Sequence, residues 1–296
     1  MIAFHGEAET KAGLLDQIAR RQALPLTTYP GVDQAQHLDW AARVGLPAAL
    51  VMLTGYLSPE ASSSDEARSA FAHDLLAGIP PGAALDGAAH GFTALAWDRV
   101  PSPLIALVTE PSLAEAARDL IDLHSRAGAG APVERSAWRA ERSRLNRLAG
   151  AGGDEPSPAA TLAASAWDYV AMPGAAWDFA RTWDALILAR TEAAHGWGTA
   201  ERDRLEAMLA DIRPELLDRV GPRPDKSDVG ALQSYLARFK STMGALIQAH
   251  ADRIWDQHKA LQIKINDARR QLKAELRPTL IAVVSGAPQH LLTSVT

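Results

Sequence analysis

The stretch AWDYVAMPGAAWDFARTWDALILAR, Ala166 to Arg190, holds three Trp-Asp pairs, Trp167-Asp168, Trp177-Asp178 and Trp183-Asp184, and their reading decides the fold. In a β-propeller such pairs recur once per blade, at about 40 residues, among Gly-His partners and β-branched strands. Here all three crowd into eighteen residues rich in alanine. Trp177, Ala180, Trp183 and Ile187 fall at helical spacing while Asp178 and Asp184 leave that stripe, which predicts core indoles beside solvated carboxylates. The competing reading is an aromatic ligand surface, with indoles stacking on a sugar or base and carboxylates accepting hydrogen bonds.

Composition extends the helical reading to the whole chain. Apolar residues are 47% of the 296 but aromatics only 6%, so alanine, the best helix former, supplies much of the apolar content. This length suits one large helical domain or two modest ones. With no cysteine, disulfides, thiolate metal sites and a cysteine nucleophile are excluded. The opening MIAFHGEAETK lacks a cationic region followed by an apolar one, and no window approaches the ~18 apolar residues of a membrane span. A cytoplasmic protein without a membrane partner is therefore expected.

Helix signals run along the chain between breaks. Leu14, Leu15, Ile18 and Ala19 share one face before Pro25, and a loop through Tyr29, Pro30 and Gly31 follows. Gly45 and Pro47 divide the next apolar segment, and Ser63 with Glu66, then Ser112 with Glu115, read as capping boxes. GAGAGAP ends the N-terminal helical domain, 1–127. A linker and a Trp/Ala-rich helical middle occupy 128–225, where Ser157 as N-cap and Pro158 start a helix that Pro173 and Gly174 end.

Residues 226–296 form the third part, a long basic helix with an uncharged tail. Fifty residues from Asp228 to Arg277 contain no proline, and Pro278 follows them. At 1.5 Å per residue they would make a rod of roughly 75 Å. Leu232, Leu236, Phe239, Met243 and Leu246 make an apolar stripe that resumes as Ile254, Leu261, Ile265, Ala268 and Leu272 after a slip near His250 that resembles a stutter. So long a stripe needs a partner, so Leu236, Phe239, Met243, Ile254, Leu261 and Ile265 are expected to pack against another helix of this chain or of a second copy. Lys226 to Arg277 carries a net +5 in a chain of net −5. Charge complementarity within or between chains accounts for this better than nucleic acid, since five acids dilute the bases and no binding motif is present.

Residues that could carry chemistry are scattered. Glu192 and His195 form one Glu-x-x-His unit where a di-iron bundle needs two, so no metal or other cofactor is expected. Asp86 with His90 and Asp33 with His37 have i,i+4 spacing without a metalloprotease context. His250 and His258 flank Ile254, where they read as imidazoles bonded to carboxylates such as Asp252 or Asp256. No nucleophile elbow, phosphate loop or dinucleotide fingerprint occurs.

Phe4, His5, Gly6 and Lys11, then His37, Trp40, the Gly45-Leu46-Pro47 turn and LLAGIPPGA with Ile79, Pro80 and Gly82, give the first 125 or so residues their character. In these the chain resembles an uncharacterised family of bacterial and phage proteins that continues into alanine- and tryptophan-rich helices. The resemblance brings no catalytic role with it, and a cysteine-containing segment common in that family is absent here. It does draw attention to His5 and Gly6 before the first helix, where free amides favour an anion; with Lys11 and His37 they form a candidate small-anion site.

The expected protein is all-α and non-catalytic, a scaffold or protein-interaction molecule that self-associates through its long helix, of phage or prophage origin by the resemblance. The alternatives are an anion-binding protein or enzyme at His5, Lys11 and His37, and a nucleic-acid binder using the basic helix.

Overall fold

The computed structural model describes residues 2–22, 34–59, 65–98, 108, 110–150 and 157–288. Among them a 3-10 turn, Ala3–Gly6, precedes α1 (Ala8–Ala19), α2 (Gln34–Val44), α3 (Ala48–Leu57), α4 (Asp65–Gly78), α5 (Ala88–Asp98) and α6 (Pro111–Gly128). There follow α7 (Arg135–Ala149), α8 (Pro158–Ser165), α9 (Gly174–Ala194), α10 (Thr199–Val220), α11 (Val229–Ala249) and α12 (Ile254–Ser285). No strand occurs among the described residues, and the fold is all-α as the alanine content and spacing predict.

Two compact units divide the chain, one of Met1–Ile187 with Ala268–Thr296 and one of Leu188–Asp267. The division falls inside α9 and inside α12, whereas the sequence breaks lie near residues 128 and 226. Tyr29–Gly31, Asp33 and Ser63, which carried sequence expectations, lie outside the described residues.

The first unit is built around α3, which is apolar all round and is buried from Ala49 to Leu57. Pro47 precedes it, and Gly45, at φ +69, lets the chain turn where a Cβ would stand 2.7 Å from the Ile2 carbonyl oxygen. Tyr56 meets Trp177 and Trp183 edge-on at 5.6 and 5.7 Å, and Trp183 meets Phe179 at 4.7 Å. The indole of Trp183 is fully buried, Trp177 is half-buried, and Trp167 lies beneath the Arg142 guanidinium at 3.7 Å. The Trp-Asp stretch is thus core packing.

Its carboxylates are less solvated than expected. Tyr56 OH donates to Asp184 Oδ1 at 3.0 Å, and Arg269 Nε lies 3.1 Å from the same oxygen as an ion pair without hydrogen-bond alignment. Arg269 begins a row on α12 in which Lys273 Nζ sits 4.4 Å over the Tyr56 ring and Arg277 Nε donates to Leu57 O at 2.7 Å. Part of the C-terminal positive charge is therefore spent inside the first unit. Beside that row, Leu272, Leu276, Leu280 and Val284 enter the core at four-residue intervals.

Several local expectations need correction. The fifty-residue rod is two helices, because the chain breaks at His250 to Arg253: His250 Nδ1 accepts from Asp252 N at 3.2 Å and Asp252 Oδ1 accepts from Ile254 N at 2.9 Å, which starts α12. Nor does Pro278 end α12, which continues to Ser285; burial of Leu280 and Val284, roughly 1.5–3 kcal/mol each, outweighs the lost helical hydrogen bond. The N-cap of α6 is Glu110, which accepts from Ser112 N and Leu113 N, with Pro111 as first residue, so Ser112 is inside the helix. Ser157 caps α8 as expected, but α8 ends at Ser165 and the chain turns through Trp167 to Pro173 before α9.

In the second unit α10 and α11 pack as a hairpin with the first half of α12. Met208, Ile212, Leu216 and Val220 of α10 join Tyr235 and Leu246 of α11 and Ile254, Leu261 and Ile265 of α12 in its core. Of the six side chains expected to pack, these last three are buried and Phe239 and Met243 are half-buried. Leu236 is 52% exposed, because Tyr235 takes the core position and rotates its neighbour outward.

Candidate functional site

A polar cluster lies inside the apolar interior of the first unit, where α5, α6, α7 and the turn before α9 bring together His90, His124, Trp138, Asp168 and Tyr169. The α5–α6 crossing that creates it is tight: a Cβ on Gly128 would stand 2.6 Å from Gly91 N, and one on Gly87 would stand 2.6 Å from Gly128 O. His90 and His124 face each other beside this crossing, with Nδ1 atoms 2.8 Å apart and both residues at most 2% exposed. The Tyr169 ring stacks on His90 at 4.4 Å and 6°, and the Trp138 ring also stacks on His90, at 5.6 Å and 29°. Trp138 also meets His124 edge-on at 4.9 Å.

Hydrogen bonding fixes the protons in this cluster. Tyr169 N donates to His90 Nε2 at 3.1 Å, so that nitrogen is the acceptor and His90 carries its proton on Nδ1. Nδ1–H then donates to His124 Nδ1, which puts the His124 proton on Nε2. That last nitrogen is buried and has no hydrogen-bond partner. Burial pushes the pKa of His90 down, with Asp168 opposing, and burial and the His90 charge push His124 well below the ordinary 6.5. Asp168 Oδ1 is 3.4 Å from His90 Nε2 and accepts from Val170 N at 3.0 Å. Thr93 Oγ1 donates to Tyr169 OH at 3.4 Å, and burial raises the phenol pKa far above its usual value. The cluster is a pair of neutral imidazoles clamped by aromatic rings and one backbone amide.

The sequence had paired His90 with Asp86, yet Asp86 precedes α5 and the carboxylate beside His90 is Asp168. His124 was not singled out. Its signal was a histidine on the apolar stripe of α6, flanked by Leu120 and Leu123, although nothing local named its partner.

The residues of the expected anion site are engaged separately. Phe4 and His5 adopt left-handed φ of 54° and 53°, followed by Gly6 at 82°, in a turn where His5 N donates to Ile2 O and Glu7 N to Phe4 O. His5 Nε2 lies 3.0 Å from Arg43 O. Lys11 Nζ donates to Ala77 O and Ile79 O at 2.7 and 2.8 Å, which places its charge at the carbonyl end of α4. His37 is buried on α2 and engaged within the chain. The amino end of α1 carries the chain's own Glu7 and Glu9, the first bonded by Thr10 Oγ1 at 2.8 Å.

In the second unit Glu192 pairs with Arg202 at 2.8 Å and His195 Nδ1 lies 2.9 Å from Thr191 O, which separates the Glu-x-x-His pair into two local contacts. His250 faces Asp211 at 3.8 Å, and burial lowers the pKa of His258, which sits between Trp197 and Trp255 at 5.5 Å from each. Among the described residues no three His, Cys, Asp or Glu side chains converge as a metal would require. No single described helix is long and apolar enough to cross a membrane.

Comparison with protein-family models, curated proteins and solved structures finds no match to this chain.

Proposed function

We propose that the protein is a non-catalytic helical interaction protein that self-associates through its α10–α11 hairpin. One observation carries the reading: each arm of the hairpin has a second apolar row that its own core leaves outside. On α10 the row is Ala207, Ala210, Pro214 and Leu217, at spacings of three and four and all exposed, opposite to the buried row Met208, Ile212, Leu216 and Val220. On α11 it includes Val229 and Leu236, 63% and 52% exposed, with Gly244, where an added Cβ would meet nothing within 4 Å. A helix of a protein that stays apart from others normally covers its outer face with charge.

Charge favours a second copy as the occupant. In its 21 residues α11 has Arg238 and Lys240 and no acid, whereas α10 carries Glu201, Asp203, Glu206, Asp211, Glu215 and Asp218 against Arg202, Arg204, Arg213 and Arg219, six acids to four bases and a net −2. Setting α11 of one copy against α10 of the other joins the apolar rows and opposite charges together. A two-fold axis makes that contact twice and closes the assembly at a dimer. Burying Leu217, Val229 and Leu236 in each copy would contribute roughly 1.5–3 kcal/mol per side chain before association costs.

Light scattering over a concentration series tests this. The wild-type protein should show a dimer at micromolar concentration, and Leu236→Glu and Leu217→Lys, examined singly, should each shift it to monomer with unchanged helicity, since both sites are already solvated. A wild-type chain that remains monomeric at high concentration would sink the proposal.

A further inference from the structure

On α7 the charge is sorted by face. Its 15 residues hold five arginines and one acid. The side chain of that acid, Glu141, is 11% exposed, and Arg144 gathers it together with Glu115 and Asp119 of α6. Arg142 lies over the Trp167 indole and donates to Ala166 O at 3.2 Å. The other three, Arg135, Arg139 and Arg147, are exposed, and among the described residues none of their guanidinium groups has a partner. At about 100° and 1.5 Å per residue they span about 120° of the helix surface and about 18 Å of its length. Exposed Ser136, Ser143 and Asn146 fill the same face, and no carboxylate or large apolar side chain interrupts it.

We propose that this outer face of α7 binds the sugar-phosphate backbone of duplex nucleic acid without regard to base sequence.

The placement of these charges opposes the helix that carries them. Arg135 is the first residue of α7, at the positive end of the helix dipole, and Arg139 repels it from one turn further on. The neighbouring α6 shows the ordinary alternative, with exposed Glu115, Asp119 and Asp122 among Arg118 and Arg126. An anion in front of α7 removes both penalties. Phosphate suits it, because one guanidinium can give two parallel N–H donors to a phosphate, and hydroxyl and amide side chains complete such contacts. At ~3.4 Å of strand per phosphate the row faces about five of them, enough for each arginine to meet its own. A bilayer with anionic headgroups also offers charge, but a helix that binds there buries a large apolar face, and the free face of α7 is small and polar. Trp138 and Leu145 anchor the opposite side of α7 in the core of the first unit, so the arginines stand on a rigid support. The site is thus outside the basic C-terminal segment.

Fluorescence anisotropy of a labelled DNA duplex of ~20 base pairs, titrated with the full chain, tests the proposal. Three arginine contacts to phosphate give a log–log salt slope of about −2.7 or steeper, so affinity should fall at least about 40-fold between 50 and 200 mM salt. A second duplex of unrelated sequence should bind within about twofold of the first, since backbone contacts carry no sequence information. Arg135→Gln/Arg139→Gln/Arg147→Gln should weaken binding about tenfold or more at 50 mM salt with unchanged helicity, because all three side chains are already solvated. Arg118→Gln/Arg126→Gln, which removes charge from the mixed face of α6, should change it by less than about twofold. No binding at 50 mM salt, binding that both variants weaken alike, or capture by phosphatidylserine vesicles in place of the duplex would overturn the proposal.

Discussion

Two alanine substitutions at one helix crossing should act in opposite directions. At the α5–α6 crossing a methyl group on Gly128 would lie 2.6 Å from Gly91 N and 2.7 Å from Gly91 Cα, so the obstacle is the backbone of α5 and not a side chain that can turn aside. Reaching ordinary contact at 3.4 Å or more demands that the helices separate by about 0.8 Å, and overpacking of that kind costs about 1–3 kcal/mol. The gain in helix propensity, at most ~1 kcal/mol, is reduced because Gly128 is the last residue of α6. Gly128→Ala should therefore destabilise the first unit by about 1–2 kcal/mol, a fall of about 2–8 °C in melting temperature. A methyl group on Gly91 comes no closer than 3.9 Å to anything on the facing helix. Gly91→Ala, in the interior of α5, should then leave stability unchanged or raise it by up to ~1 kcal/mol. Denaturant unfolding of both variants beside the wild type measures the difference. Gly128→Ala as stable as the wild type, or the two variants equally destabilised, would refute the crossing geometry. His90 adjoins Gly91 and His124 lies one turn before Gly128, so the separation should also lengthen the imidazole pair.

The remaining expectations concern Lys11 and the second unit. Lys11→Met keeps the aliphatic stem but removes two hydrogen bonds to the carbonyl end of α4, which should cost about 1–2 kcal/mol in denaturant unfolding; unchanged stability would return Lys11 to the role of a free surface cation. Leu261→Asp/Ile265→Asp buries two unpaired carboxylates in the core of the second unit, and circular dichroism should show lost helicity even in the monomeric Leu236→Glu background. Helicity and melting temperature equal to those of the parent would show that this face of α12 packs on nothing.

The helical class was legible because it is a local property. Alanine content, prolines at breaks and apolar residues at spacings of three and four are read within a few turns, and the sequence placed Trp183, Ile254, Leu261 and Ile265 on buried faces. Caps were legible where the side chain reaches its own helix, as Ser157 does, and misread where a proline moved the start, as before α6. The break at His250 was present as an Asp252 cap, but an apolar stripe on both sides hid it.

What periodicity encodes is a face, and a face does not name its partner. Leu236 and Tyr235 both suit a core position on α11, and only the direction from which α10 and α12 approach turned one inward and the other out. Pro278 reads as a stop until the burial of Leu280 and Val284 outweighs it. The His90–His124 pair joins residues 34 apart to a turn almost 80 residues further on, through a crossing set by glycines whose only local signature is a missing side chain. Hydrogen bonds of a few ångströms between distant segments depend on how whole helices pack, and that packing is decided by the summed fit of many side chains, which no short stretch of sequence contains.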